Sequence, residues 1–316
     1  MTISRLLQKL SNNRVFQQCI RRIVDRVRNA DFALAGNAAL LAVLLAACEP
    51  NVVETPASQP LANESFQQWN LPRKLREVSG LALTDDNRLL AITDEKAIVY
   101  EIDFENGRLV KAFAFGDPVI RGDFEGIAVL DDRVWLMTSH GRLFSAPEGA
   151  DGDHVRYQQF DTGLGEYCEL EGLGQDRVNG LLVLVCKETR SKHDKLKIFE
   201  YSITESGISA VRDIDVPVAA IADEIDSKHV NPSGIAIAPN SGRRTMVAAR
   251  QRAIMQLSRD GELIDAIILP KKRRHRQAEG VELTADGRLL IADEGGDGKA
   301  RLAVYRLSPS GKIQTE

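Results

Sequence analysis

The chain has 316 residues, 43% of them hydrophobic and 27% charged, with a formal net charge of -4. That hydrophobic content is enough for a sizeable core and excludes a disordered chain. Residues 1–47 carry seven basic residues and only two acidic ones, so the rest of the chain is distinctly acidic, which excludes nucleic acid as a partner because its phosphates would be repelled.

In chain order, a basic segment leads into Phe32 to Ala47, FALAGNAALLAVLLAA, an apolar run that ends in small residues before Cys48. The pattern predicts an export signal with its basic flank on the cytoplasmic side. Leu45-Ala46-Ala47-Cys48 resembles the lipobox of bacterial lipoproteins, which implies cleavage before Cys48 and membrane anchoring through acyl chains on Cys48. The leader before the apolar run is longer than usual, so an uncleaved anchor or an ordinary signal peptide stays open. Glu49 stands where Asp in lipoproteins favours inner-membrane retention, so the expected address is the periplasmic side of an outer membrane. The segment from Glu49 to Asn70 is rich in Pro, Ser, Asn and Gln with no periodic apolar face, and reads as a tether. The expected organisation is a signal peptide over 1–47, a lipidated Cys48 and tether over 48–70, and one folded body over 71–316.

That body repeats. Five segments open at Ser79-Gly80, Glu125-Gly126, Glu171-Gly172, Ser233-Gly234 and Glu279-Gly280, at intervals of 46, 46, 62 and 46 residues. Each opening is followed by an apolar strand, a turn such as Asp-Asp, Asn-Gly or Asp-Gly, and a second apolar strand, as in GLALTDDNRLLAITD and GVELTADGRLLIADE. A unit of that size holds four strands, which predicts an all-β, five-bladed β-propeller, with six blades as the alternative. The N-terminal residues 71 to 79 are expected to complete the last blade. The longer third interval predicts a loop insertion near Arg190 to Lys195 or Ala219 to His229. A β-sandwich does not repeat at such a period. A monomer is expected.

The openings Asp123-Phe124-Glu125-Gly126, Glu169-Leu170-Glu171-Gly172 and Gln277-Ala278-Glu279-Gly280 resemble the SdiA-regulated (YjiK-like) family over roughly residues 72 to 307. The resemblance implies a five-bladed propeller related to NHL-repeat proteins, a preceding membrane segment and a shared calcium site. It implies no particular reaction. Asp123 to Trp135 also resembles, more weakly, phytase-associated esterase-like domains. Ser139-His140-Gly141 departs from the pattern, because the other units tend to place an acid or amide there.

The first strand of each blade lines the channel, so Glu125, Glu171 and Glu279 are expected to converge on one axis. Three carboxylates brought together repel unless a cation neutralises them, and outside the cytoplasm Ca2+ suits an irregular set of oxygens. Glu95, Glu188 and Glu294 form a second set at the end of the next strand, with Asp94 and Asp293 beside two of them. The alternative for the Glu-Gly pairs is structural: a side chain bonded to the neighbouring blade's backbone. His140 is the one histidine placed near the channel. No Gly-x-Ser-x-Gly motif is present, so an enzyme here would be a Ca2+-dependent hydrolase of an ester, lactone or phosphoester, whereas the leading expectation is a binding or scaffold module in the cell envelope whose partner is an envelope protein or a small molecule at the channel mouth. Cys168 and Cys186 flank one hairpin and are candidates for a disulfide across it. Lys271-Lys272-Arg273-Arg274-His275-Arg276 is the one dense basic run, either a solvated loop or a contact for anionic lipid.

Overall fold

The computed structural model describes residues 66–205, 207–269 and 275–308. The export signal and Cys48 lie outside the described residues. Strand β1 spans Phe66–Asn70, and the first sheet follows with β2 (Val78–Leu83), β3 (Leu89–Thr93), β4 (Ile98–Asp103) and β5 (Arg108–Phe115). The second sheet runs through β6 (Phe124–Leu130), β7 (Arg133–Thr138), β8 (Arg142–Pro147) and, after the short β9 (His154–Val155), β10 (Gln158–Asp161). The third contains β11 (Cys168–Asp176), β12 (Leu181–Thr189), β13 (Lys197–Thr204) and β14 (Gly207–Asp215), and is followed by helix α1 (Val218–Glu224). The fourth is β15 (Gly234–Ile237), β16 (Arg244–Ala248), β17 (Ala253–Leu257) and β18 (Leu263–Ile268). The fifth joins β19 (Ala278–Leu283), β20 (Arg288–Asp293) and β21 (Arg301–Arg306) to β1. The chain is a five-bladed β-propeller.

Ring closure falls to β1, which pairs antiparallel with β21 from Phe66 opposite Tyr305 to Asn70 opposite Arg301. The expected boundary at residue 71 is therefore corrected: Phe66–Asn70, read above as the end of the tether, is the outermost strand of the last blade. Its apolar positions are spaced too widely to register as a strand alone, and only the edge of β21 gives its backbone groups partners. Strand β9 leaves the second blade and adds to β5 of the first in parallel, so those two blades share a sheet edge. Of the two proposed insertion points, residues 219–229 hold the larger element, α1, which buries Ile221 and Ile225 between the third and fourth blades.

The inner strands β2, β6, β11, β15 and β19 touch in cyclic order, and at each contact stands the repeat glycine. A Cβ on Gly126 would lie 2.5 Å from Leu173 Cβ, on Gly172 2.9 Å from Ile235 N, and on Gly280 2.7 Å from Leu81 Cγ. On Gly234 it would collide with the carbonyl oxygen of Glu279, and on Gly80 it would press against Ile127. Each glycine thus lets one blade's inner strand lie against the next. The apolar residues follow the same logic: five clusters each fill the space between two neighbouring blades, such as Leu81, Leu89 and Ala91 against Leu290, Ala292 and Leu302.

Cys168 and Cys186 are joined by a disulfide. They do not sit directly opposite: Cys168 pairs with Thr189 and Cys186 with Leu170, because register shifts after Glu169 and Leu170 offset the two strands. The link crosses the hairpin diagonally.

Adding a methyl group at the inner seams is expected to be costly because backbone atoms fill the space. Gly126→Ala and Gly234→Ala should each lower stability by about 1–3 kcal/mol in urea unfolding. A loss below about 0.5 kcal/mol for both would show that the seams are not close-packed.

Candidate functional site

The residue before each repeat glycine occupies a β-bulge. Pairing skips from Val78 to Gly80, Phe124 to Gly126, Leu170 to Gly172 and Ala278 to Gly280, leaving Ser79, Glu125, Glu171 and Glu279 without a cross-strand partner. A bulge re-aims the extra residue's side chain. Ser233 stands at the equivalent place, immediately before β15.

The five positions divide by chemistry. Ser79 Oγ donates to the carbonyl oxygen of Phe124 at 2.8 Å and Ser233 Oγ to that of Ala278 at 2.7 Å, each reaching the next blade just ahead of that blade's glutamate. The two serines thus make the bond to the neighbouring blade's backbone that was offered above as the alternative for the glutamates. The three glutamates do something else. Burial, reinforced by the charges of Glu171 and Asp123, pushes the Glu125 carboxyl up to about 9. Burial and the Glu171 charge push Glu279 up to about 8. Carboxyls from three blades thus sense one another's charge.

The cation that the sequence seemed to lack is built in. Lys187, on β12, bonds Glu171 through its ammonium group and lies 3.4 Å from Glu169. Burial pushes Glu171 upward and Lys187 opposes it. Burial also works against the lysine's charge, but Glu171 and Glu169 outweigh it and hold its pKa above the ordinary value. The cluster thus holds the Lys187–Glu171 ion pair beside two carboxyls, Glu125 and Glu279, that are pushed up to about 9 and 8. Among the described residues no three His, Cys, Asp or Glu side chains form a ready metal-binding group.

The register explains why Lys187 was missed and corrects the second acidic set. Val78 pairs with Thr93, Leu170 with Cys186 and Ala278 with Asp293, so the next residues, Asp94, Lys187 and Glu294, are the equivalent ones. Glu95 and Glu188 lie one position further on and are exposed on the rim, Glu188 only 3.8 Å from Arg250. Glu294 is half-buried and accepts a hydrogen bond from Gln277; burial and the charges of Asp94 and Glu77 raise its pKa. Asp94 is raised by burial and by Glu77, and its Oδ1 is buried without a hydrogen-bond partner. The acidic mouth therefore extends from Glu125 through Glu171 and Glu279 to Glu294 and Asp94.

His140 is exposed, with its Nδ1 3.0 Å from Ser139 Oγ. Ser139 donates to Asp123 Oδ2 at 2.6 Å, and its buried backbone is bonded on both sides, so it acts as a joint between β6 and β7 and offers no free nucleophile. His275 stands apart from the basic run in which the sequence places it: it is fully buried, 2.8 Å from Asp293 Oδ2 and 2.5 Å from the Tyr305 hydroxyl. Asp293 also accepts from the backbone N–H of Gln277 at 3.2 Å. Asp293 thus serves to fix this loop and does not join the channel carboxylates.

Side chains link the blades across the opposite end of the channel. Gln175, on the third blade, donates to Glu282 of the fifth at 2.8 Å, and Arg177 reaches the carbonyl oxygen of Leu83 on the first. Glu282 also accepts from the N–H groups of Leu83 and Leu283 at 3.1 and 2.9 Å. The Gln175–Glu282 and Arg177–Leu83 bonds join blades that are not neighbours, so they cross the axis. Beside the acidic mouth is a cavity of about 550 Å³ reached by Lys187, Asn231, Arg250, Arg252, Arg276 and Glu279.

No protein-family model matches the sequence, and no curated protein sequence matches it. Solved structures do. Glutaminyl cyclase from Myxococcus xanthus is 15% identical with a TM-score of 0.50, covering 76% of this chain and 94% of that one. A luciferin-regenerating enzyme is 9% identical with a TM-score of 0.49, covering 79% and 97%. A gluconolactonase from Xanthomonas campestris is 15% identical with a TM-score of 0.45, covering 72% of each chain. At such identities the likeness is one of fold alone.

The raised carboxyls link stability to pH. Glu125 and Glu279 keep their protons up to about 9 and 8, whereas in the unfolded chain they lose them near 4.5. The folded state binds more protons across that window, so its stability is full below about 4.5 and falls as pH rises toward 8 and 9. Each retained proton steepens the fall by about 1.4 kcal/mol per pH unit. Urea unfolding between pH 5 and 9 should show that decline, and Glu125→Gln should make it shallower and raise stability at pH 9. Identical slopes in both proteins would contradict the assignment.

Proposed function

We propose that this chain is an envelope-anchored, Ca2+-binding β-propeller, a binding or scaffold module whose ligand site is the acidic mouth of its channel. What supports the reading is that Glu125, Glu171 and Glu279 each occupy the bulge position of the inner strand of a different blade, and that the Glu171 charge bears on the other two. The donor chemistry fits: every candidate ligand is a carboxylate oxygen, the type that a hard cation takes, and water can complete the shell. Bound there, the ion would supply positive charge to hold an anionic or carbonyl group of a partner. Glu125 and Glu279 would give up their protons on binding, and Lys187, already close to Glu169, would keep that partner as Glu171 turned to the cation. The resemblance to the SdiA-regulated family points the same way.

The envelope part of the reading draws on the lipobox-like Leu45-Ala46-Ala47-Cys48, and the Cys168–Cys186 disulfide suits an oxidising compartment outside the cytoplasm. A second reading, Ca2+-assisted hydrolysis of an ester, lactone or phosphoester, is favoured by the cavity of about 550 Å³ that adjoins the carboxylates and has room for a small substrate.

Calorimetric titration with CaCl2 in buffers of different ionisation enthalpy tests the binding claim. One to two protons should be released per ion near neutral pH, affinity should rise by roughly tenfold per pH unit for each proton released, and Glu125→Gln or Glu279→Gln should weaken binding at least about tenfold. Absence of saturable Ca2+ binding would end the reading. Ca2+-dependent turnover on ester, lactone or phosphoester substrates, lost in the same variants, would select the hydrolase.

A further inference from the structure

The mouth of the channel is acidic over four blades and basic over the fourth blade's sector. There the cavity wall carries four cationic side chains from three blades: Lys187 of the third, Arg250 and Arg252 of the fourth, and Arg276 ahead of the fifth. Glu279 is the one carboxyl that reaches the same space, and Asn231 adds a neutral polar group. Arg252 and Arg276 pair with no carboxylate among the described residues, and Arg250 has only Glu188 at 3.8 Å. Lys187 is already paired with Glu171 and Glu169, but the three arginines leave a net positive field on one concave wall, unlike the balanced ion pairs that Arg88 and Arg212 make elsewhere with Glu148 and Glu200.

The wall is held by bonds that do not involve any ligand. The turn between β16 and β17 is closed by Arg252 N–H to the carbonyl oxygen of Ala249 at 3.1 Å, with Arg252 itself in the left-handed region at φ 51°. Gln251, between the two arginines, makes a reciprocal pair with Asn231: its amide donates to Asn231 Oδ1 at 3.0 Å and its Oε1 accepts from Asn231 N at 3.3 Å. Arg276 is flanked by two anchored residues, since buried His275 and the backbone of Gln277 are both bonded to Asp293. The guanidinium groups are therefore presented from fixed backbone on each side of the cavity, which limits the ordering cost of binding. Arginine forks match the paired oxygens of an oxyanion, and a dianion gains most from a wall of this charge.

We infer that this cavity is a binding site for a phosphate group, held by Arg252, Arg276, Arg250 and Lys187, on a small molecule whose remainder lies toward the carboxylates of the channel mouth. The site needs no metal ion, so it stands apart from the cation reading.

Titration of the full chain with inorganic phosphate and with glycerol 2-phosphate, at pH 7 in the presence of EDTA, tests the inference. Saturable binding at sub-millimolar concentration is expected, weakening with added salt. Arg252→Gln and Arg276→Gln should each cost at least about tenfold in affinity with the urea midpoint unchanged, while Arg252→Lys and Arg276→Lys, which keep the charge and lose the fork, should each cost less than the Gln variant. Acetate should bind at least tenfold more weakly than phosphate. Tighter binding of the monoester identifies an organic phosphate as the occupant, and tighter binding of the free ion identifies phosphate itself. No saturation by either probe, or binding that both Gln variants leave unchanged, would overturn the inference. Because EDTA removes Ca2+, failure here leaves the cation reading intact, and failure of Ca2+ binding leaves this one intact.

Discussion

The contact between the glycine of one inner strand and the backbone of the next is the constraint on which this molecule depends. Five such contacts close a ring, and at Gly126, Gly172 and Gly234 an added Cβ would come within 3.0 Å of the neighbouring strand's backbone. Blades held that closely leave a channel narrow enough for side chains on different blades to interact. A bulge beside the glycine then turns the preceding residue out of the sheet ladder and toward the axis. The same dipeptide therefore does two jobs: its glycine sets the blade spacing, and its first residue decides what chemistry faces the channel.

That first residue is serine where the blade spends it on a bond to its neighbour, and glutamate where it does not. Three glutamates in a partly dry space concentrate negative charge, and the cluster answers with a lysine bonded to Glu171 and with Glu125 and Glu279 pushed up to about 9 and 8. Such a cluster stands in a state from which protons can be exchanged for another cation. The far end is crossed by Gln175, Glu282 and Arg177, which tie non-adjacent blades together across the axis. The basic wall on the fourth blade's side gives the mouth an opposite pole, so an occupant with charge at one end would be oriented on entry.

Much of this was legible in the sequence because a propeller repeats. The Ser-Gly and Glu-Gly openings at a fixed interval carry both the blade count and the identity of the channel residues, since equivalent repeat positions must share an axis. What was not legible depended on register. Glu95 and Glu188 look equivalent to Glu294 by counting, but the bulges shift pairing by one residue, and the true equivalents are Asp94 and Lys187. Lys187 did leave a signal: it is the basic residue where other units place Asp94, Ser139 and Glu294. Phe66–Asn70 gave none, because its strand exists only against β21, contributed by the far end of the chain. His275 was hidden by its basic neighbours, and only the long-range partners Asp293 and Tyr305 reveal a buried anchor.

The central claim is that carboxyls from separate blades share one space around the axis. Site-resolved carbon NMR of the glutamate carboxyls across pH tests it directly, since it reads each group and its coupling to the others. The account predicts that Glu125 and Glu279 titrate near 9 and 8, and that Glu171→Gln moves both to lower pH by removing the charge each one senses. Titration of both groups in the ordinary range near 4.5, unmoved by Glu171→Gln, would contradict it.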